Sequence, residues 1–208
     1  MKKGCLLLIV FVLLIGCETI KMDRDIGAYG EIQSVFNQAE INDLRIILNF
    51  FDDVVCKSEN VEKSNVLEAY EKYFKRMDET STDMNVDIRI DGQRQQNLFQ
   101  KIGSPTFNQI WTKSLQNSKK SVAFEAIELN SKGKYLKFLH EFGKNKPWVN
   151  AYYEKFNLSL SLSPSMIWDI LRHHEKFDMT DERTKLVIAI HYLSLNELQK
   201  NIQKWQRI

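Results

Sequence analysis

Residues 37–56 read NQAEINDLRIILNFFDDVVC, and this stretch decides the fold class. Asn37 and Glu40 have the spacing of a capping box, in which the Asn37 side chain takes the backbone N–H of Glu40 while the Glu40 carboxylate reaches back to Asn37. Phe36 and Ile41 flank that box as a hydrophobic staple. Beyond it Ile41, Leu44, Leu48, Phe51 and Val55 recur at intervals of three and four, and Ile47 and Val54 widen the stripe. An apolar face that broad predicts a helix packed at the centre of a helical domain. Cys56 follows on the same pattern, where a buried small hydrophobe is expected rather than a reactive thiol.

Downstream the helical period returns repeatedly. Val66, Tyr70, Tyr73 and Met77, with Leu67 and Phe74 beside them, predict a helix over 61–78, broken by Thr80-Ser81-Thr82-Asp83. Gln93–Ile102 and Thr106–Leu115 read as two short helices separated by Gly103-Ser104-Pro105. Lys134–Phe142 reads as another, ending at Gly143. Pro147 and Pro164 sit where a first helical residue is expected, opening helices through Phe156 and Leu171. Thr180, with Asp181 and Glu182 in the first turn, starts a long helix to about Trp205. Its segment LVIAIHYL, residues 186–193, is apolar nearly all round, which makes it the central element of the C-terminal half. Period two appears in NVDIRIDG (85–92), VAFEA (122–126) and LSLSLS (158–163), which form either a small sheet or extended connectors and helix ends. The fold expected is all-α, an irregular bundle of about seven or eight helices with at most a minor β element.

The N-terminus has a different composition. Met1–Gly4 contains Lys2 and Lys3, and Cys5–Ile15 is wholly apolar. That run is a charged start followed by an h-region, and it falls short of the about 20 apolar residues a spanning helix requires. Leu14-Ile15-Gly16-Cys17 resembles the lipobox of bacterial lipoproteins. The resemblance covers residues 1–17 and implies cleavage before Cys17 and a diacylglyceryl group on its thiol, with residues 1–16 as signal peptide. Two or three acyl chains would hold the protein on a bilayer, where one alone binds marginally. Glu18, where aspartate would mean inner-membrane retention in enteric-type sorting, implies passage to the outer membrane. Residues 17–34 then form the lipidated N-terminus and a flexible tether containing Gly27 and Gly30, and 35–208 form the helical globular domain. In size, lipobox and Lys/Asn-rich helices the chain also resembles small Bacteroidota-type lipoproteins.

Loss of residues 1–16 removes two lysines and no acids, so the formal charge of +2 falls to zero. A nucleic-acid partner is not expected, because the short clusters at Lys119-Lys120 and Lys144/Lys146 have acids nearby and read as solvated surface. With Cys5 removed and Cys17 acylated, Cys56 stands alone and no internal disulfide can form.

His173-His174-Glu175 with Asp178 is the single cluster whose residue types suit catalysis or metal ligation. Metal-binding helices place ligands three or four apart on one face, whereas adjacent histidines diverge by about 100°. A polar helix C-terminus, where histidine suits the dipole, is the favoured reading, and no metal or cofactor is expected. His191 and His140 lie among apolar neighbours and read as satisfied core histidines. There is no Gly-rich phosphate loop, nucleophile elbow or Cys-x-x-Cys. Trp148, after Lys144-Asn145-Lys146-Pro147 at a loop-to-helix junction, is the tryptophan expected to be partly exposed and available for binding. Two functions follow from these expectations. The first is a non-catalytic envelope lipoprotein that binds another protein, as accessory subunit or immunity-type inhibitor. The alternative is a tethered hydrolase of envelope polymers using His173, His174 and Asp178.

Overall fold

In the computed structural model, which describes residues 25–82 and 85–207, the chain makes a 3-10 turn at Ile26–Ala28 and one helical turn, α1 (Gly30–Gln33), before α2 (Gln38–Ser58). The expected capping box is formed. Asn37 Oδ1 accepts from the Glu40 backbone N–H at 2.9 Å, and Glu40 Oε2 accepts from the Asn37 N–H at 2.8 Å. The Glu40 carboxylate also receives Lys134 at 2.6 Å, so the same cap ties α2 to a later helix.

There follow α3 (Val66–Thr80), α4 (Gly92–Lys101), α5 (Ser104–Ile110), β1 (Trp111–Asn117), β2 (Ala123–Leu129), α6 (Lys134–Gly143), α7 (Pro147–Ser159), α8 (Pro164–Arg172) and α9 (Glu182–Arg207). The fold is mostly helical, with one two-stranded antiparallel sheet among the described residues. Helices α2 through α9 correspond one for one to the helices expected from periodicity.

Two local expectations are corrected, and the alternatives left open for the alternating segments are resolved. The leader is not a tether from Asp25 onward: Ile26 and Ile32 are buried, Asp25 pairs with Arg45, and the Arg183 guanidinium lies 4.2 Å above the Tyr29 ring. Two isolated isoleucines among polar residues carry no periodic signal, yet each fills a site on the domain. Residues 1–24, including the signal run and Cys17, lie outside the described residues.

Next, the helix expected over 106–115 ends at Ile110. Trp111 drives into the core, fully buried, with Nε1 donating to Ser194 Oγ at 2.8 Å. The chain beyond it pairs with 123–129 in the register Ser114↔Ala126. Of the three alternating segments, VAFEA therefore contributes to a strand.

The segment Val86–Ile90 is extended but joins no sheet. Its three apolar side chains are buried, while side chains satisfy its backbone: the Tyr73 hydroxyl donates to the Ile88 carbonyl at 2.6 Å and Gln199 to the Val86 carbonyl at 3.1 Å. Period two reflects one-sided burial here, which needs no ladder. LSLSLS, finally, is the end of α7, closed by Leu160 in the left-handed region (φ 55°), with Leu158 and Leu160 exposed.

The core is built where α2, α3 and α9 meet. Phe51 stacks on Tyr192 with rings 6.1 Å apart and 5° from parallel, and Tyr73 meets both edge-on. Every residue of α9 from Leu186 to Glu197 is buried. Cys56 is buried on α2 as expected, and burial pushes its thiol pKa up. Gly133, at the entry to α6, lies so close to α5 that a Cβ would stand 2.2 Å from the Gln109 carbonyl oxygen, so only glycine permits that approach. Among the described residues no helix is long and apolar enough to cross a membrane.

Candidate functional site

The end of α8 borders two recesses in the surface of the domain. Ser163 caps this helix by accepting from the Met166 N–H, and Pro164 occupies its first turn. The helix stops at Arg172, because His173 leaves helical geometry (φ −133°, ψ 37°) and a 3-10 turn at His174–Lys176 redirects the chain. Phe177, buried, follows the turn. Asp178 Oδ1 then accepts from both the N–H and the hydroxyl of Thr180, at 3.1 and 2.6 Å, and so shapes the approach to α9.

This path separates the two histidines. His174 lines a groove of about 540 Å³ between α3 and the 172–180 segment, with Leu67, Glu71, Phe74, Asp78 and Asp178 among the other walls. His173 lines a second groove of about 220 Å³ between α7 and α8, with Trp148, Lys155, Met166, Asp169 and Lys176. Phe177 borders both, as the partition between them. The structure thus brings His174 and Asp178 to one groove and His173 and Trp148 to the other. The first pairing lies within the cluster read from the sequence, whereas the second takes His173 out of it and joins it to Trp148.

The His174 ring lies flat on Phe74, with centroids 4.2 Å apart and planes 5° from parallel, and its Nε2 is 3.5 Å from the Tyr192 hydroxyl. Burial pushes its pKa down to about 4, so it is neutral at pH 7. A base so weak has little driving force for proton abstraction at neutral pH. His173 is about half exposed and stands 3.5 Å from Glu175. Across the mouth of the first groove Arg172 pairs with Asp78 and lies 4.9 Å above the Trp168 ring. Lys155 and Asp169 form an ion pair at the second.

The remaining sequence-derived candidates divide. Trp148 is partly exposed, as expected, and packs 4.7 Å from Phe177, although Trp205 is also exposed. His191 is fully buried on α9, with Nδ1 3.2 Å from the Tyr152 hydroxyl, and burial lowers its pKa to about 3. His140 is a correction: it projects into solvent beside Glu141 and Tyr153, because its neighbours Leu139 and Phe142 use the opposite side of α6. Among the described residues no three His, Cys, Asp or Glu side chains are grouped to hold a metal ion.

Sequence reasoning missed Phe74, Lys155, Asp169 and Lys176 as groove residues. Phe74 looked like any member of the α3 apolar stripe. The other three sit on different elements, with no spacing signal to connect them. No protein family, curated protein or solved structure matches this chain.

Proposed function

We propose that this chain is an envelope-anchored bacterial lipoprotein, held on the outer membrane by lipid on Cys17, whose helical domain is a non-catalytic protein-binding module. An accessory subunit or an immunity-type inhibitor is the form of partner role it fits. The observation that carries the reading is the divergence of His173 and His174 into separate aromatic-floored grooves on the two sides of Phe177. Recessed apolar surface bordered by a partly exposed tryptophan and scattered charges is the composition of a binding site. Catalysis would instead call for a base and its partners converging on one point.

The anchor is tested by metabolic fatty-acid labelling. Cys17→Ser is expected to abolish the label and leave an uncleaved precursor, since the thiol is the attachment atom; a normally labelled mutant would refute the assignment. The binding role is tested by crosslinking in native envelopes with Trp148→Ala as comparison. A stoichiometric protein partner that this substitution depletes supports the module. The shared groove of His174 and Asp178 is what favours the alternative, a tethered hydrolase of envelope polymers. Polymer cleavage lost on His174→Ala, with the fold intact, would replace the binding reading.

A further inference from the structure

The two edges of the β1–β2 sheet are treated differently. On the β2 side, α9 closes the edge: Asn201 donates to the Ile127 carbonyl at 3.4 Å and Lys204 to the Glu125 carbonyl at 3.3 Å. Those bonds also fix which backbone groups point which way. With 125 and 127 facing outward on β2, the pairs Gln116↔Phe124, Ser114↔Ala126 and Thr112↔Glu128 are the hydrogen-bonded ones. The flanking bonds agree, since Ser118 donates to the Val122 carbonyl at 2.9 Å and Asn130 to the Ile110 carbonyl at 2.9 Å. On β1 the N–H and C=O groups of Lys113, Leu115 and Asn117 therefore point away from β2. None of the described hydrogen bonds reaches them. All three residues are exposed, and Leu115 is 80% exposed.

An uncovered edge of this kind is a template for another strand. Its own sequence decides which strand fits. Placed antiparallel about a two-fold axis through Leu115, β1 faces a second β1 with Leu115 opposite Leu115 and Lys113 opposite Asn117. Each of these facing pairs is of the hydrogen-bonded type, so all the outward backbone groups are used. The two leucines cover each other, and no lysine stands opposite a lysine, which would repel. Lys113 retains Glu125 on its other side at 2.9 Å. We propose that β1 is a homodimerisation edge, and that two copies of this chain join through it into a four-stranded sheet in the order β2-β1-β1-β2, centred on Leu115. The grooves beside Phe177 are lined by none of these residues, so this interface is independent of the proposed binding role.

The test is a register-specific disulfide trap on the full chain in detergent, under a mild oxidant, with the wild-type chain supplying the background from its native cysteines. Facing residues of a hydrogen-bonded pair have Cα atoms about 5.5 Å apart, within the range a disulfide accepts. Residues offset by four positions are about 13 Å apart and outside it. Leu115→Cys is expected to give about tenfold more covalent dimer than Lys113→Cys or Asn117→Cys alone, and the Lys113→Cys/Asn117→Cys double variant is expected to recover it. Circular dichroism and a thermal melt establish that each variant is folded. Equal crosslinking at all positions would mean random collision and overturn the proposal. So would absence of dimer from folded Leu115→Cys, or its capture of a different protein in place of a second copy.

Discussion

The two halves of α9 serve opposite purposes. Its first half, through Glu197, is enclosed by α2, α3 and the Phe51–Tyr73–Tyr192 ring cluster and is held by burial. Its second half carries Ile202 and Trp205 into solvent and is held to the hairpin by a few directed contacts: the Asn201 and Lys204 bonds to β2 and the stacking of Lys119 on Trp205 at 4.5 Å. The difference locates the stability of the domain at one end of a continuous helix and leaves a more adaptable surface at the other. Burial of large rings is worth several kcal/mol per residue, whereas each such hydrogen bond contributes about 1 kcal/mol.

The largest expected effect lies in the first half. Phe51→Ala removes the ring on which Tyr192 stacks and should cost about 3–5 kcal/mol, read as a lowered denaturation midpoint with an unchanged m-value. A loss below 1 kcal/mol would mean the ring cluster is not the centre of stability.

Acid should act on that half, through His191, and on the turn packed beside it, through His174. His191 and His174 have folded-state pKa values pushed to about 3 and about 4 by burial, below the ordinary 6.5. Between those values and 6.5 the unfolded chain binds more protons, so stability is full above pH 6.5 and falls as pH drops through that window. The loss expected between pH 7.5 and 4.5 is on the order of a few kcal/mol. Asp25, Asp53 and Glu141, whose carboxyls Arg45, Lys57 and Lys144 hold below their usual values, add their loss mainly at lower pH, so the histidines dominate this window. His191→Phe should flatten the dependence, leaving the part due to His174. A pH profile identical to wild type would show that His191 is not a neutral buried histidine.

The smallest effect belongs to the second half. Asn201→Ala deletes one bond to β2 and should cost about 1 kcal/mol, with faster amide exchange confined to the hairpin. Exchange accelerated along all of α9 would show that the two halves unfold as one unit and erase the distinction.

The sequence disclosed the first half of α9 far better than the second. Leu186–Leu195 and Ile41–Val55 are long periodic runs, and such runs specify helices whatever they touch. The capping box at Asn37 and Glu40 is equally local and appears as read. The hairpin was hidden, because Trp111 and Leu115 fit the apolar spacing of a helix continuing from Phe107 and Ile110. Only the buried partner Ser194, distant in sequence, explains why the chain extends there. The alternation at Val86–Ile90 left a strand and an extended connector both open for a related reason: one-sided burial produces the period of a strand without a neighbour to pair with. For the grooves, the residue types at His173, His174, Asp178 and Trp148 were visible. Their division by Phe177 was not, since it follows from where α8 ends and how one 3-10 turn bends.

Were Cys17 to carry lipid, the docking of residues 25–34 onto the domain would set the length of the leash. Seven residues separate Cys17 from Asp25, and a chain of that length reaches at most about 28 Å when fully drawn out. A lipid on Cys17 would therefore confine the domain to a shell of roughly one protein diameter above the bilayer. Anything it engages would have to present itself within that layer, and neighbouring copies would meet by diffusing in two dimensions at nearly equal height.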